Sequence, residues 1–155
     1  MIRHATHNDL EAVVALGALK RTKYAAWQPV FHRVAADAER HHHVYLGSLI
    51  GKPNTLFYVS EEGGKVDGFL VGALVGAPPV YAPGGTLLNI DDFHVEPAAA
   101  WAAVGKALLE EAQAEAKKRG AVLVNVVCGP KDEEKRALLG SLGLGVASEW
   151  RVKEL

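Results

Sequence analysis

The sequence lacks several features that would define its class, and it has a single cysteine, Cys128, among 155 residues. One thiol cannot form an internal disulfide, so the chain is expected in a reducing compartment. Its apolar runs are interrupted by glycine, proline or aspartate well short of the ~20 residues that span a bilayer. No basic-then-apolar leader opens the chain. We therefore expect a cytoplasmic protein that does not act in a membrane.

Charge of one sign is not in excess either. The chain has 17 lysine and arginine residues against 18 aspartate and glutamate residues, a formal net charge of -1. This balance gives no overall field that would attract nucleic acid or an anionic membrane surface, so neither is expected as a partner. An anionic ligand would have to be held locally by a few residues.

What the sequence does contain is the composition of an ordinary globular protein. Hydrophobic residues make up 49% and charged residues 23% of the chain, which are typical values. A chain of this length can bury a sizeable core. We therefore interpret residues 1–155 as one domain.

Hydrophobic periodicity and turn residues predict the element order β-α-α-β-β-β-α-β-α-β. The predicted elements are a strand at 2–5, helices at about 8–23 and 31–50, a hairpin at 55–60 and 66–76, a strand at 87–95, a helix ending near 119, a strand at 122–127, a helix at 130–142 and a strand at 146–155. The predicted fold class is α/β (α+β), with a mixed, mostly antiparallel central sheet flanked by helices.

Residue patterns add expectations about burial. Strand 122–127 is almost entirely apolar, which is typical of a strand covered on both faces. The last strand alternates apolar and polar residues, as a half-buried strand does. Trp27 and Trp150 are expected in the core, and the stretch "KDEEKR" at 131–136 is expected to be a solvated helix start.

The most informative stretch is "NIDDFHVEPAAAWAAVGKALLEEA" at 89–112, where a strand runs into a helix through a short loop. It resembles the cofactor motif of the GNAT superfamily of acetyl-CoA-dependent N-acetyltransferases, although alanines and a tryptophan replace the family's arginine and first two glycines. That motif, Val-x-Pro-x-x-Arg-Gly-x-Gly-x-Gly/Ala-x-x-Leu-Leu, lies without gaps on Val95, Pro97, Ala100, Trp101, Ala103, Gly105, Leu108 and Leu109. The segment "IDDFHV" resembles the fourth strand of polyamine acetyltransferases, and "KRALLGSLGLGVASEW" is similar to the closing GNAT helix and strand.

The resemblance implies a GNAT fold with acetyl-CoA as co-substrate and no metal. Backbone N–H groups at a helix start bind anions whatever their side chains are, so Gly105, Lys106 and Ala107 are expected to present donors to the phosphates. Trp101 is expected to point away from the phosphates or to fill space beside them. Asp132 either contacts the pantetheine arm or is simply a first-turn helix residue. The implied cofactor-binding residues are Phe93, Val95, Ala100, Trp101, Ala103, Val104, Gly105, Lys106, Ala107 and Asp132.

The amine side of the implied reaction centres on Asp91, Asp92 and His94. The resemblance implies that the acidic pair binds a cationic amine and helps to deprotonate it. The two aspartates point to opposite faces of a regular strand, so both reach one site only if the strand bulges. His94 is a further candidate base. Turn or cap roles for the aspartates, and a packed role for the histidine, are the alternatives.

The acid that protonates the departing thiolate is missing from its usual place. Family members commonly carry a tyrosine in the last helix, and Leu139 stands there instead. Either Tyr81, Tyr58 or Tyr24 replaces it, or the thiolate leaves unassisted, which its modest pKa permits.

The histidine run from His41 to His43 is not interpreted as a metal site. Consecutive helical residues point in different directions and cannot all bind one ion, so a solvated run is favoured. Cys128 is favoured as a packed thiol without a catalytic setting.

We therefore expect an acetyl-CoA-dependent N-acetyltransferase that acetylates a primary amine of a small molecule or peptide. Irregular segments commonly carry specificity, so 77–86 and 27–43 are expected to shape the acceptor pocket. The alternative is a non-catalytic binding or interaction module on the same fold, motivated by the replaced motif residues. A homodimer is left open in either case.

Overall fold

The computed structural model describes all residues from Met1 to Leu155. Its helices and strands follow the predicted order as far as the last helix. They are β1 Ile2–His4, α1 Leu10–Trp27, α2 Ala38–Leu49, β2 Thr55–Glu62, β3 Lys65–Val75, β4 Thr86–Val95, α3 Lys106–Lys118, β5 Ala121–Val126 and α4 Glu133–Ser141. A 3-10 turn at His7–Asp9 precedes α1, and a 3-10 turn at Ala98–Ala100 followed by a π-helical turn at Trp101–Gly105 leads into α3.

The five strands form one sheet in the order β1-β2-β3-β4-β5. The first four strands pair antiparallel, and β5 runs parallel to β4. The parallel pair is joined through α3, as a crossover connection requires. The predicted fold class, a mixed and mostly antiparallel sheet flanked by helices, is confirmed.

The two faces of the sheet are covered by different helices. Because side chains alternate along a strand, Leu56 and Tyr58 of β2 face one way, with buried residues of α3 and α4. Phe57 and Val59 face the other way, with buried residues of α1 and α2. The sheet therefore separates an α3–α4 side from an α1–α2 side. No helix of the protein is both long enough and apolar enough to cross a membrane.

The first two helices differ from their predicted bounds. α1 continues to Trp27 because no helix-breaking residue occurs before Pro29. α2 begins only at Ala38, so the predicted start at 31 is wrong. Trp27 is half-buried rather than in the core.

The predicted last strand is wrong, because residues 145–155 form no regular structure. A strand needs a neighbour to satisfy its backbone groups, and this segment instead contacts the α1–α2 connection, where Trp150 lies edge-on to Phe31. Trp150 is 80% exposed and is not a core residue. β5 thereby stays at the edge of the sheet, with Leu123 54% exposed, so the prediction that it is covered on both faces is also wrong.

Trp101 and Trp150 provide a matched test of the buried core and the exposed C-terminal segment. Trp101 is 3% exposed, so Trp101→Ala is expected to lower the free energy of unfolding by about 3 to 5 kcal/mol through the lost burial and the cavity. Trp150→Ala is expected to change it by less than about 1 kcal/mol. Urea unfolding of both variants measures the two values. Similar losses would contradict an exposed, unpaired C-terminal segment.

Candidate active site

The two parallel strands part from each other at one end of the sheet. Their pairing reaches Ile90 opposite Val126, and a last hydrogen bond joins the Val127 amide to the Ile90 carbonyl over 2.9 Å. β4 continues to Val95, while β5 ends. The stretch from Asp91 to Val95 therefore has an edge without a strand partner. We call the space between the diverging strands the cleft.

A β-bulge lies where the strands part. Val71 of β3 pairs with Asp92, and the next residue, Gly72, pairs with Ile90, so Asp91 is an extra residue with no partner. A bulge redirects side chains that would otherwise alternate between faces. Asp91 and Asp92 accordingly line the same cavity on the α1–α2 side, as the sequence predicted only for a bulged strand.

This cavity, which we call the α1–α2 pocket, has a volume of about 300 Å³. Its lining residues are Gly17, Lys20, Arg21, His42, Tyr45, Asp91 and Asp92. The segment expected to shape an acceptor pocket, 27–43, contributes only His42, and the loop at 77–86 contributes none of these residues. Three of the other lining residues, Gly17, Lys20 and Arg21, come from α1, which the sequence pattern did not connect with the aspartates.

Asp92 is held by two partners in the pocket. Lys20 donates to its Oδ1 over 2.7 Å, and His42 Nε2 lies 2.8 Å from its Oδ2. Burial by itself would raise the pKa of Asp92, but the charge of Lys20 and the hydrogen bonds from His42 and Lys20 hold it well below its usual value. Asp92 is therefore a fixed carboxylate whose negative charge is already compensated.

Asp91 differs from its neighbour in having no side-chain partner. It forms no ion pair and no hydrogen bond with another side chain. Asp91 is exposed as a whole residue, but the pocket wall still withdraws water from its carboxyl group and raises its pKa, and the negative charge of Asp92 adds to that rise. A carboxylate with a raised pKa and no side-chain partner is suited to bind the ammonium group of a ligand or to accept its proton.

His42 links Arg21 to Asp92 within the pocket. Arg21 Nη1 lies 2.8 Å from His42 Nδ1. A guanidinium only donates hydrogen bonds, so Nδ1 is the acceptor and Nε2 carries the proton that is given to Asp92. The interpretation of the histidine run as solvated is therefore wrong for His42, although His41 and His43 are exposed.

His94 lies outside the pocket. It is 3% exposed, and its Nε2 lies 3.0 Å from Glu96 Oε1, while Glu96 also pairs with Lys23. Burial lowers the pKa of His94. Its Nδ1 is buried without a partner. The structure thus does not bring this candidate base to the two aspartates.

The entrance to α3 is wound into a helix earlier than expected. Its first turn closes with the Ala100 amide donating to the Pro97 carbonyl over 2.8 Å. The Lys106 amide donates to carbonyls of the preceding π turn, so the expectation that it is free for phosphate is wrong. Only the amides ahead of the first helical bond, at Ala98 and Ala99, lack an acceptor within the helix. No residue here has a positive φ, which explains why alanines can replace glycines.

Trp101 points into the protein rather than into solvent. Its ring lies edge-on to Phe93 at 4.8 Å between centroids. A Cβ added at Gly105 would come within 2.6 Å of the indole, so Gly105 is needed there for packing. Trp101 therefore belongs to the core on the α3–α4 side. Val95 is fully buried in the same cluster, and Ala100 and Val104 are partly buried against it.

A lysine that the sequence interpretation missed lies in the cleft. Lys135 of α4 is fully buried, and its Nζ donates to the Phe93 carbonyl over 3.2 Å. Nζ also lies 5.2 Å from the Phe93 ring centroid and 5.7 Å from that of Trp101. Burial lowers the pKa of this amine to about 8. The prediction of a solvated helix start is wrong here, since Lys135 shares the buried face of α4 with Leu138 and Leu139 at helical spacing.

The candidate acids have different surroundings. Tyr24 is buried, donates to Asp132 Oδ2 over 2.9 Å and accepts from the Gly129 amide over 3.0 Å. Burial raises the pKa of Tyr24 well above its usual value, so this phenol keeps its proton. Tyr58 stacks on His4, and Tyr81 is 71% exposed.

Two residues near the cleft have structural partners. Asp132 occupies the N-cap position of α4 and is buried against Tyr24. Burial raises the pKa of the Cys128 thiol.

No group of three or more histidine, cysteine, aspartate or glutamate side chains could hold a metal ion.

Comparison with known proteins identifies the fold. No family model and no curated protein matches the sequence. Solved structures match over the whole chain. A mutant of the BH1408 protein from Bacillus halodurans aligns with a TM-score of 0.85 and 18% identity, covering 100% of this chain and 99% of that chain. Aminoglycoside N-acetyltransferase AAC(6')-Iy in complex with CoA aligns with a TM-score of 0.75 and 13% identity, covering 100% and 93%. The chain has the GNAT fold.

Proteins with other descriptions share this GNAT fold. A transcriptional regulator from Bacillus halodurans C-125 aligns with a TM-score of 0.73 and 20% identity, covering 100% of this chain and 99% of that chain. Identities this low establish the shared GNAT fold and leave the reaction to be argued from the site.

The two aspartates of this GNAT fold are expected to affect stability differently. Asp92→Asn leaves the half-buried Lys20 without its ion-pair partner and should lower the free energy of unfolding at pH 7 by about 2 to 4 kcal/mol, slightly less than breaking a fully buried pair. Asp91→Asn should not lower it by more than about 0.5 kcal/mol, because no partner is lost. Urea unfolding measures both.

The contribution of Asp92 to the free energy of unfolding is expected to depend on pH. The depressed pKa of Asp92 means that its stabilisation is present above the unfolded-state value of about 4 and is lost as the pH falls. The wild-type advantage over Asp92→Asn should therefore shrink on acidification. An Asp91→Asn protein that is the less stable of the two would contradict the assignment.

Lys135 is expected to destabilise the fold at neutral pH. Its pKa of about 8 lies below the ordinary value of 10.5, so between these values the unfolded chain binds a proton that the folded protein does not, and stability rises with pH. Lys135→Met should remove a penalty on the order of 3 kcal/mol at pH 7. Urea unfolding at pH 7 and pH 10 should show the gain from Lys135→Met shrinking at the higher pH. A pH-independent difference would contradict a charged, buried amine.

Proposed function

We propose that this protein is an N-acetyltransferase that moves an acetyl group from acetyl-CoA to a primary amine of a small molecule or peptide. The observation that carries the proposal is the bulge at Asp91. It lies where β4 and β5 part, so it joins an open strand edge to a pocket with an unpaired carboxylate. An acyl transfer between two substrates needs such a meeting point.

The residues of the cleft fit acetyl-CoA in their chemistry. Backbone groups of β4 at Phe93 and Val95 lie along the open edge and would bind the amide-containing arm. Lys135 is a buried cation with no carboxylate within ion-pair distance, and such a group calls for an anionic neighbour. The 98–107 segment, with the amides of Ala98 and Ala99 and the half-exposed side chain of Lys106, would hold the phosphates. Asp132 would contribute to acetyl-CoA binding through its position at the start of α4.

Asp91 is the residue that we assign to the amine. Acetyl-CoA supplies an acyl group activated as a thioester when it is bound, and the acceptor nitrogen must be neutral to use it. Asp91 binds the acceptor ammonium and takes up its proton, which its raised pKa favours. Asp92 does not compete for this proton, because Lys20 and His42 hold it as a carboxylate. It fixes the pocket wall instead.

The proton for the departing sulfur is assigned to Lys135. Leu139 has no proton to give, and Tyr24 keeps its own. Lys135 Nζ carries a proton at neutral pH, because its pKa is about 8, and it lies on the open edge of β4 at the Phe93 carbonyl. A group with this pKa can give up its proton at little cost near physiological pH.

The competing proposal is a non-catalytic binding module. It is favoured by the Lys106 amide, which is already bonded within the helix, and by the alanine at 100 in place of the family's arginine. Under this proposal the cleft stays filled by Lys135 and Trp101. The two proposals differ in whether acetyl-CoA binds at all.

Titration calorimetry with acetyl-CoA tests the proposal. We expect saturable one-to-one binding in the micromolar range, and thiol release in the presence of a suitable amine. Asp91→Asn should lower turnover by about 10² to 10⁴ without weakening acetyl-CoA binding, because Asp91 lies on the amine side. Asp37→Asn removes an exposed carboxylate outside the pocket and should change neither. No heat up to millimolar acetyl-CoA would refute the acetyltransferase and leave the binding module.

A further inference from the structure

We propose that the α1–α2 pocket takes a zwitterionic amine of amino-acid size, with the ammonium at Asp91 and the carboxylate at Arg21. This inference names the substrate class of the proposed acetyltransferase and rests on that function. It replaces the simple cationic acceptor that the acidic pair suggested in the sequence.

The charges of the pocket divide into one closed pair and two open groups. Lys20 and Asp92 form an ion pair at 2.7 Å and cancel each other. Arg21 forms no ion pair, since its contact in the pocket is the neutral acceptor Nδ1 of His42. Asp91 forms no ion pair either. One cation and one anion therefore line the same cavity, and neither of them forms an ion pair.

Arg21 has donors left over. Its Nη2 is buried and has no hydrogen-bond partner. Buried polar groups in folded proteins are nearly always paired, so an orphan of this kind points to a missing partner. A guanidinium pairs best with a planar anion such as a carboxylate. An amine-only substrate would leave this donor unsatisfied.

The Arg21–His42 arrangement requires the absence of a side chain on α1. A Cβ added at Gly17 would lie 2.5 Å from His42 Cε1 and 3.3 Å from Arg21 Nη1. A glycine inside a helix lowers helix stability. Here it allows the imidazole to reach between Arg21 and Asp92 and to hold the guanidinium at the pocket wall.

The volume sets the size of the acceptor. A cavity of about 300 Å³ is at the lower end of the range for small-molecule sites. It suits a single amino acid rather than a linked multi-ring amine. Polyamines lack the anionic group that Arg21 would pair with, so they are expected to be poor substrates.

Ligand binding to the protein without acetyl-CoA tests this inference directly. Saturation-transfer NMR with the twenty protein amino acids selects the tightest binder, which is then compared with its own amide and with its deaminated acid. We expect both analogues to bind at least ten-fold more weakly, because each loses one of the two ionic contacts. An amide that binds as well as the amino acid would overturn the inference. So would the absence of binding by every amino acid at about 10 mM, a concentration that detects even weak ligands.

Substitutions at Arg21 assign the carboxylate contact. Arg21→Gln should abolish the preference for the amino acid over its amide while leaving amide binding unchanged. Arg21→Lys should restore part of the preference, because it retains the charge. Circular dichroism checks that both variants fold, and Arg33→Gln, which removes an arginine that is 75% exposed outside the pocket, should behave as wild type. A preference that survives Arg21→Gln would refute the assignment.

The two proposals can fail separately. If acetyl-CoA does not bind but amino acids bind in an Arg21-dependent way, the acetyltransferase is refuted and the zwitterion pocket stands. If acetyl-CoA binds and simple amines are acetylated as well as amino acids, the acetyltransferase stands and the pocket assignment is refuted.

Discussion

The site depends on a single constraint, the failure of β4 and β5 to stay paired beyond Ile90 and Val126. A parallel strand that loses its neighbour exposes backbone donors and acceptors, which must find other partners or a ligand. In this protein Lys135 satisfies one of them, the Phe93 carbonyl. The bulge at Asp91 coincides with the divergence, so the backbone irregularity that opens the cleft also turns a carboxylate towards the α1–α2 pocket.

The pocket and the cleft differ in their electrostatics. On the α1–α2 side, charged residues are close together and half-buried, and their hydrogen bonds fix which group is available. On the α3–α4 side, Lys135 lies near the rings of Phe93 and Trp101 and forms no ion pair. Adjacent aspartates therefore have pKa values displaced in opposite directions. Different environments for like groups are a common basis for dividing roles in acid–base chemistry.

Part of the fold and part of the candidate site could be predicted from the sequence. The element order through α4 follows from periodicity, and the GNAT fold follows from a motif whose spacing is kept although its glycines are not. The backbone after Pro97 can form without those glycines because the segment winds directly into helix and has no positive φ. Lys135 and His42 were misread because a charged residue on a helix is usually solvated. Their burial depends on which face each helix turns to the sheet.

The sequence by itself determined the fold class, the position of the acidic pair and the lack of a tyrosine at 139, because these depend on local pattern and residue identity. Tertiary structure decided which carboxylate is free, since Lys20 and His42 reach Asp92 from helices distant in sequence. It also decided that Arg21 faces the pocket and that the last ten residues form no strand. Such outcomes depend on long-range contacts between elements, which no local pattern of residues specifies.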